Sequence, residues 1–241
     1  MTSAGVELVA PALERVRERI RRAAEQSGRM AREVHLVAVS KRQPAEKIRA
    51  AYAAGQRDFG ENYAQELLAK QQELGDLPEL RFHMIGALQR NKVAGLCGVI
   101  SAVHSVDSVR LIEELGRRAS ARPVPAQREL LPGGELALFL EVNLGEAQKA
   151  GCDPAELAQL IDAVLARPSL SLRGLMAIPA GAGDPESARA QFERLLELRE
   201  QHGGVARLPE LSLGMSRDLE MAIACGSTWV RVGTDIFGER A

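Results

Sequence analysis

Aromatic side chains are nearly missing from this sequence: Phe, Tyr and Trp supply 3% of its 241 residues, while hydrophobic residues supply 46%. A sizeable core is possible, and it has to be aliphatic and alanine-rich. Cysteine is scarce as well. Cys97, Cys152 and Cys225 are odd in number and far apart, which argues against a disulfide framework and suits a reducing compartment. No motif surrounds any of them, so each reads as a small buried residue. The four histidines, His35, His83, His104 and His202, form no close pair along the chain, which argues against structural zinc. Charge of one sign is also lacking: 31 basic and 32 acidic residues leave a formal net charge of −1. Nothing electrostatic points to nucleic acid or to an acidic membrane. No stretch approaches the roughly 18 apolar residues of a membrane helix, and the N-terminus lacks the apolar segment of a signal peptide. The expected location is the cytoplasm.

What the sequence does have is rhythm. Leu13, Val16, Ile20 and Ala24 recur at steps of three and four, predicting an amphipathic helix over Val9 to Ser27. The Arg15 to Arg22 run alternates with Glu and Ala on that helix and reads as a solvated face. A short, β-branched run, Val34 to Lys41, is the first strand. Pro44 opens a helix that Gly55 closes. The cycle repeats with strands at 57–61, 81–86, 99–106, 136–144, 170–178, 211–215 and 229–234. Helices are expected at 62–74, 91–96, 108–119, 154–166, 185–201 and 218–224. Eight such units in a chain of this length predict an α/β fold, a (β/α)8 TIM-type barrel with an extra N-terminal helix. A doubly wound open sheet is the alternative. Arg118 to Glu135, with three prolines and two adjacent glycines, reads as an exposed loop within a single domain of residues 1–241.

In such a barrel the working face is the rim at the C-terminal strand ends. Side chains alternate along a strand, so Lys41 shares a face with Val37 and Val39. If that face is the interior, the amine sits at the barrel mouth, where desolvation favours its neutral, nucleophilic form. A solvent-facing strand cap is the plainer explanation. At strands seven and eight, Gly214 and Gly233 allow close backbone approach, while Ser216 and Thr234 add hydroxyls. Met215-Ser216 lies just before a helix start. These are the strands where the fold frequently builds a phosphate site, although two ordinary glycine turns would look the same. Arg231 shares a face with Trp229 and Gly233, opposite Val230 and Val232, and so points inward. It needs an acceptor there: a barrel carboxylate such as Glu61 or Glu141, or a ligand atom such as a pyridine nitrogen. A lysine, a phosphate cradle and an inward arginine are parts that pyridoxal phosphate (PLP) would use, and other phosphate-binding barrels would use some of them.

The motifs Val37-Ala-Val-Ser-Lys41, Phe59-Gly-Glu-Asn-Tyr63, His83-Met-Ile-Gly86 and Leu88-Gln-Arg-Asn-Lys92 make up one half of a pattern. Gly174-Leu-Met-Ala-Ile-Pro179, Leu213-Gly-Met-Ser216 with Asp218, and Val230-Arg-Val-Gly-Thr234 with Ile236-Phe-Gly238 make up the other. In this order they resemble the pyridoxal phosphate homeostasis proteins, from about Val9 to Arg240. The resemblance implies a barrel like the N-terminal domain of alanine racemase, with pyridoxal 5′-phosphate as a covalent imine on Lys41. It implies Asn62 near the ring, Ser216, Gly233 and Thr234 on the phosphate with Met215 alongside, and Arg231 at the pyridine nitrogen. His83 and Met176 would line the mouth. Arg42-Gln43 stands where smaller residues are common, Ala87 where a bulkier one is frequent, and Asp235 where alanine is more usual.

Two functions follow from that resemblance. One is a PLP-dependent amino-acid racemase, or a decarboxylase acting on amino acids. The other is a non-catalytic protein of intracellular PLP homeostasis that binds, stores and delivers the cofactor. Alanine racemases add a β-domain that supplies a catalytic tyrosine, and this chain ends soon after strand eight. It has only Tyr52 and Tyr63, both on helices or their starts. Two-base racemization needs an acid/base on each face of the substrate carbon, and no partner for Lys41 is evident. The expectation is a carrier with no catalytic residues, a monomer whose partners are PLP and the apo-enzymes that receive it. A phosphosugar enzyme without PLP is a remote third reading.

Overall fold

The computed structural model describes residues 4–121, 134–145, 150–179 and 184–238. Eight strands run β1 His35–Val39, β2 Asp58–Glu61, β3 Arg81–Met84, β4 Ile100–Val106, β5 Leu136–Glu141, β6 Leu170–Met176, β7 Glu210–Ser212 and β8 Trp229–Val232. Each pairs in parallel with the next, and β8 returns to β1 with Val37 opposite Arg231. The sheet is therefore a closed barrel, and the open-sheet alternative is excluded. The longer part of the 118–135 loop lies outside the described residues.

Helices fill the crossovers that parallel strands require. They are α1 Ala4–Glu7, α2 Val9–Gln26, α3 Ala45–Ala53, α4 Ala64–Glu73, α5 Arg90–Leu96, α6 Val109–Ser120, α7 Leu157–Leu165, α8 Pro185–Gln201, α9 Gly204–Arg207, α10 Leu219–Ala224 and α11 Thr234–Phe237. The aliphatic core expected from composition lies between these helices and the barrel wall. Leu36, Ala38, Val230 and Val232 face it from the first and last strands. Val37, one residue out of step, is fully buried yet outside that layer, because alternate strand residues face the barrel interior. The interior holds His83, His104, Phe139 and Trp229, each ring centroid 4.2–6.4 Å from at least two of the others. All three cysteines are buried, and no disulfide joins any two of them. No helix among the described residues is long and apolar enough to cross a membrane.

The N-terminal helix α2 buries Val9, Leu13, Val16, Ile20 and Ala24 along one stripe, as its periodicity predicts. It packs on α10 and α11, beside the last two strand ends. The charged run is only partly a solvated face. Arg15, Arg21 and Arg22 are exposed, whereas Arg17 and Arg19 are half-buried and turn toward the barrel. Arg17 donates to the carbonyl of Ala54 at the end of α3.

Several strands stop earlier than the sequence suggests, and the endings matter for the site. β7 ends at Ser212 because Gly214 turns the chain at φ +90°, a conformation that favours glycine. A Cβ at Gly214 would also lie 2.6 Å from the Ala222 methyl. β8 ends at Val232 because Thr234 begins the four-residue helix α11. Neither α11 nor α9 is evident in the periodicity, since one turn of helix carries too few residues to show a period.

Candidate functional site

A cavity of about 520 Å³ opens at the C-terminal strand ends. All seven residues singled out from sequence line it: Lys41, Asn62, Met215, Ser216, Arg231, Gly233 and Thr234. Ile178, part of a quoted motif, also lines it, whereas Arg217, Asp184 and Met221 of its wall carry no signal in the sequence. Arg217 is exposed there, next to Ser216.

Lys41 leaves β1 on the same face as Val39, which also lines the cavity. Its chain neighbours are held on both sides. Ser40 Oγ donates to Glu61 Oε1 at 2.6 Å, and Lys70 Nζ donates to the Ser40 carbonyl at 2.6 Å. The same ammonium donates to Glu61 and Glu66 carboxylates, each at 2.7 Å. Glu66 in turn accepts the Arg42 backbone N–H at 2.5 Å. Arg42 sits at φ +57°, a left-handed conformation that costs an ordinary residue about 1–2 kcal/mol. The Glu66 bond offsets part of that cost and fixes the turn that presents Lys41. Burial pushes the Glu61 carboxyl pKa up, against the pull of Lys70.

Arg231 points inward, 4% exposed. Its Nη1 donates to the Ser212 carbonyl at 2.6 Å and to Ser212 Oγ at 2.7 Å, and its Nη2 donates to the Ala177 carbonyl at 3.1 Å. The carboxylate bridge to Glu61 or Glu141 is not formed. Burial lowers the guanidinium pKa to about 10, so it stays charged at neutral pH. Its Nε–H and second Nη2–H have no partner among the described residues, and the side chain lines the cavity.

Across the cavity, the turns after β7 and β8 carry unused donors. The hydroxyls and backbone N–H groups of Ser216 and Thr234, and the N–H of Gly233, have no partner among the described residues. Met215 differs: its N–H is taken by Asp218 Oδ1 at 2.5 Å, which shapes the turn. Asn62 Oδ1 is buried with no partner among the described residues. The buried Asn62 oxygen costs free energy unless a ligand meets it, whereas the exposed Thr234 donors stand ready for one in solvent.

The chain matches the family model for the alanine racemase N-terminal domain over residues 12–241. It is 46% identical to the pyridoxal phosphate homeostasis protein of Pseudomonas aeruginosa, over 96% of each chain. It is 43% identical to that of Escherichia coli K12, over 96% of this chain and 97% of the relative. The chain belongs to the pyridoxal phosphate homeostasis protein family. PipY of Synechococcus elongatus, solved with PLP bound, superposes with a TM-score of 0.77 at 41% identity, covering 95% of this chain and 100% of PipY. Alanine racemase of Corynebacterium glutamicum, at 18% identity and a TM-score of 0.65, shares the fold over 94% of this chain and 62% of its own.

This homeostasis-family barrel also holds an interior hydrogen-bond chain that the motifs conceal. Ser212 Oγ meets His104 Nδ1 at 2.8 Å, His104 Nε2 meets His83 Nδ1 at 3.0 Å, and His83 Nε2 meets Asp58 Oδ1 at 3.0 Å. Burial opposes ionisation of Asp58, but bonds from Arg81 and His83 outweigh it and hold the carboxyl well below the usual range. Burial keeps His104 neutral. One assignment then satisfies every atom: Arg231 donates to Ser212, Ser212 to His104, His104 to His83, and His83 to Asp58. His83 is therefore a buried link below the mouth, not part of its wall. Met176 is likewise fully buried away from the cavity.

Glu141, on the inner face of β5, is 6% exposed, and burial pushes its pKa up to about 7 despite the nearby Arg231 charge. A carboxyl whose pKa rises on folding binds more protons folded than unfolded. It therefore lowers stability progressively as pH climbs from about 4.5 to 7. Glu141→Gln should stabilise the protein at pH 8 by on the order of 3 kcal/mol, and not at pH 4. Urea titrations at the two pH values measure the difference; equal effects would contradict the assignment.

Proposed function

We propose that this chain binds pyridoxal 5′-phosphate at the barrel mouth through an imine on Lys41, and stores and delivers it in the cytoplasm as a monomer, without catalytic turnover. The observation that carries this reading is the convergence of three dissimilar groups on one cavity. Lys41 offers an amine to the aldehyde, releasing water as the C=N bond forms. Ser216, Gly233 and Thr234 offer unpaired donors to the phosphate. Arg231 offers unpaired N–H groups to the pyridine nitrogen, and Asn62 offers its amide to the ring. When bound, the cofactor supplies an aldehyde carbon that passes reversibly between amines.

The remaining wall supports carriage over racemization. Its two carboxylates are engaged as caps, Asp218 on the Met215 N–H and Asp184 on the Glu186 N–H. Neither Tyr52 nor Tyr63 lines the cavity. Apart from these two capped carboxylates, no Glu, His, Tyr or Cys lines the cavity among the described residues. The Arg231 charge also disfavours protonation of the pyridine nitrogen, weakening the ring as an electron sink.

Purified protein loaded with PLP should be yellow, and borohydride should fix the cofactor mass on the Lys41 peptide. Incubation with single-enantiomer amino acids in deuterated water should give no sustained α-proton exchange. Continued exchange or racemization would establish the racemase instead. Transfer of PLP to an apo-enzyme faster than its release into buffer would support delivery as distinct from storage.

A further inference from the structure

We propose that Arg19, on the N-terminal helix and outside the cavity, is a positioning residue for the phosphate cradle. The proposal rests on reading Ser216, Gly233 and Thr234 as that cradle.

One guanidinium joins both cradle turns. Arg19 Nη2 donates to the Ser216 carbonyl at 2.9 Å. Its Nε and Nη2 hold Glu220 on α10 at 2.7 and 3.0 Å, and its Nη1 holds Asp235 on α11 at 2.5 Å. The turns after β7 and β8 are thus tied to a third element, α2. Two consequences follow.

The first is directional. A trans peptide sets C=O and N–H on opposite sides, so anchoring the Ser216 carbonyl on Arg19 turns the Arg217 N–H away from α2. That N–H has no partner among the described residues, and Arg217 lines the cavity. The second is electrostatic. Asp235 directly follows Thr234, and Glu220 lies four residues past Ser216. Two carboxylates therefore flank a site meant for a phosphate dianion. With Arg19 bound to both, the group carries one net negative charge; without it, two. An isolated surface ion pair contributes little to folding, but a charge removed beside a bound dianion acts on the ligand directly. The ordering effect and the charge effect both bear on the phosphate and neither on the aldehyde.

The test is titration of full-length apoprotein with PLP and, separately, with pyridoxal, which lacks the phosphate. Four proteins are compared: wild type, Arg19→Met, Asp235→Asn, and Arg19→Met with Asp235→Asn. Arg19→Met should weaken PLP by about tenfold and pyridoxal by less than about twofold. Asp235→Asn alone should tighten PLP, and adding it to Arg19→Met should recover much of the loss. A structural role alone would weaken both ligands equally and would show no recovery by removing a second ion-pair partner. Equal weakening, or a double variant no better than Arg19→Met, overturns the proposal. If Arg19→Met does not fold, Asp235→Asn decides: PLP tightened with pyridoxal unchanged supports the proposal, and PLP unchanged overturns it. Failure of wild type to bind PLP at all would overturn the proposed function itself, a distinct result.

Discussion

Replacing Lys41 with alanine should abolish every borohydride-fixed adduct while leaving measurable affinity for PLP and none for pyridoxal. The reasoning separates two kinds of capture. The C=N bond depends on one amine, and among the described residues no other lysine lines the cavity. The phosphate depends on the donors of Ser216, Gly233 and Thr234, which Lys41→Ala leaves untouched. Hydrogen bonds to a charged acceptor contribute about 1.5–3 kcal/mol each, so two or three of them hold the phosphate ester without the imine. Pyridoxal has only the aldehyde and ring contacts, and the variant should lose it. Thr234→Ala should behave oppositely, forming the adduct at saturating PLP but with affinity lowered about tenfold, the loss of roughly one such bond. Absorbance titrations with both ligands, followed by mass spectrometry after reduction, distinguish the two variants. The same loss in both would contradict the division of labour.

Lys70→Met should be among the most destabilising single changes, costing about 3–5 kcal/mol at neutral pH, because it strands the fully buried Glu61 carboxylate. Among the described residues Glu61 Oε2 already has no partner, and Lys70 is the only cation bonded to Oε1. The sign of the pH dependence follows from burial, which raises the Glu61 pKa in the folded state. Removing Lys70 leaves that effect unopposed and raises it further. The folded variant then retains a proton that the unfolded chain releases above about pH 4.5. The deficit should accordingly be small at pH 4 and grow toward neutrality. Urea melts across that range check it, and Glu61→Gln in the same chain should restore much of the loss. Because Lys70 also anchors the Ser40 carbonyl, the stabilised double variant should still load PLP more slowly than wild type. A pH-independent deficit would show that Lys70 acts through packing alone.

Much of the fold was legible because its signals are local. The proline-in, glycine-out helix boundaries, the stripe of Leu13, Val16 and Ile20, and the short apolar strands each lie within a few residues. Side-chain parity carried the site as well: Val37, Val39 and Lys41 share one face, as do Trp229 and Arg231, and closure of the barrel turned both faces inward. Parity could not reveal what each inward residue would meet. Arg231 was expected to meet a carboxylate or a ligand, and its protein partners are Ser212 and the Ala177 carbonyl. The carboxylates went elsewhere, Glu61 to Lys70 and Glu141 to a place beside Arg231 without a bond.

The order of motifs along the chain determined the family, the barrel and the residues at its mouth, since each depends on period and spacing. Only the tertiary structure decided that His83 and His104, 21 positions apart, join Asp58 in one chain of donors. It alone brought Arg19 of the first long helix to Ser216 and Asp235 near the other terminus. The reason is geometric: those contacts exist because β8 closes on β1 and stacks residues from many strands at one height, and no pattern within a short window encodes that closure.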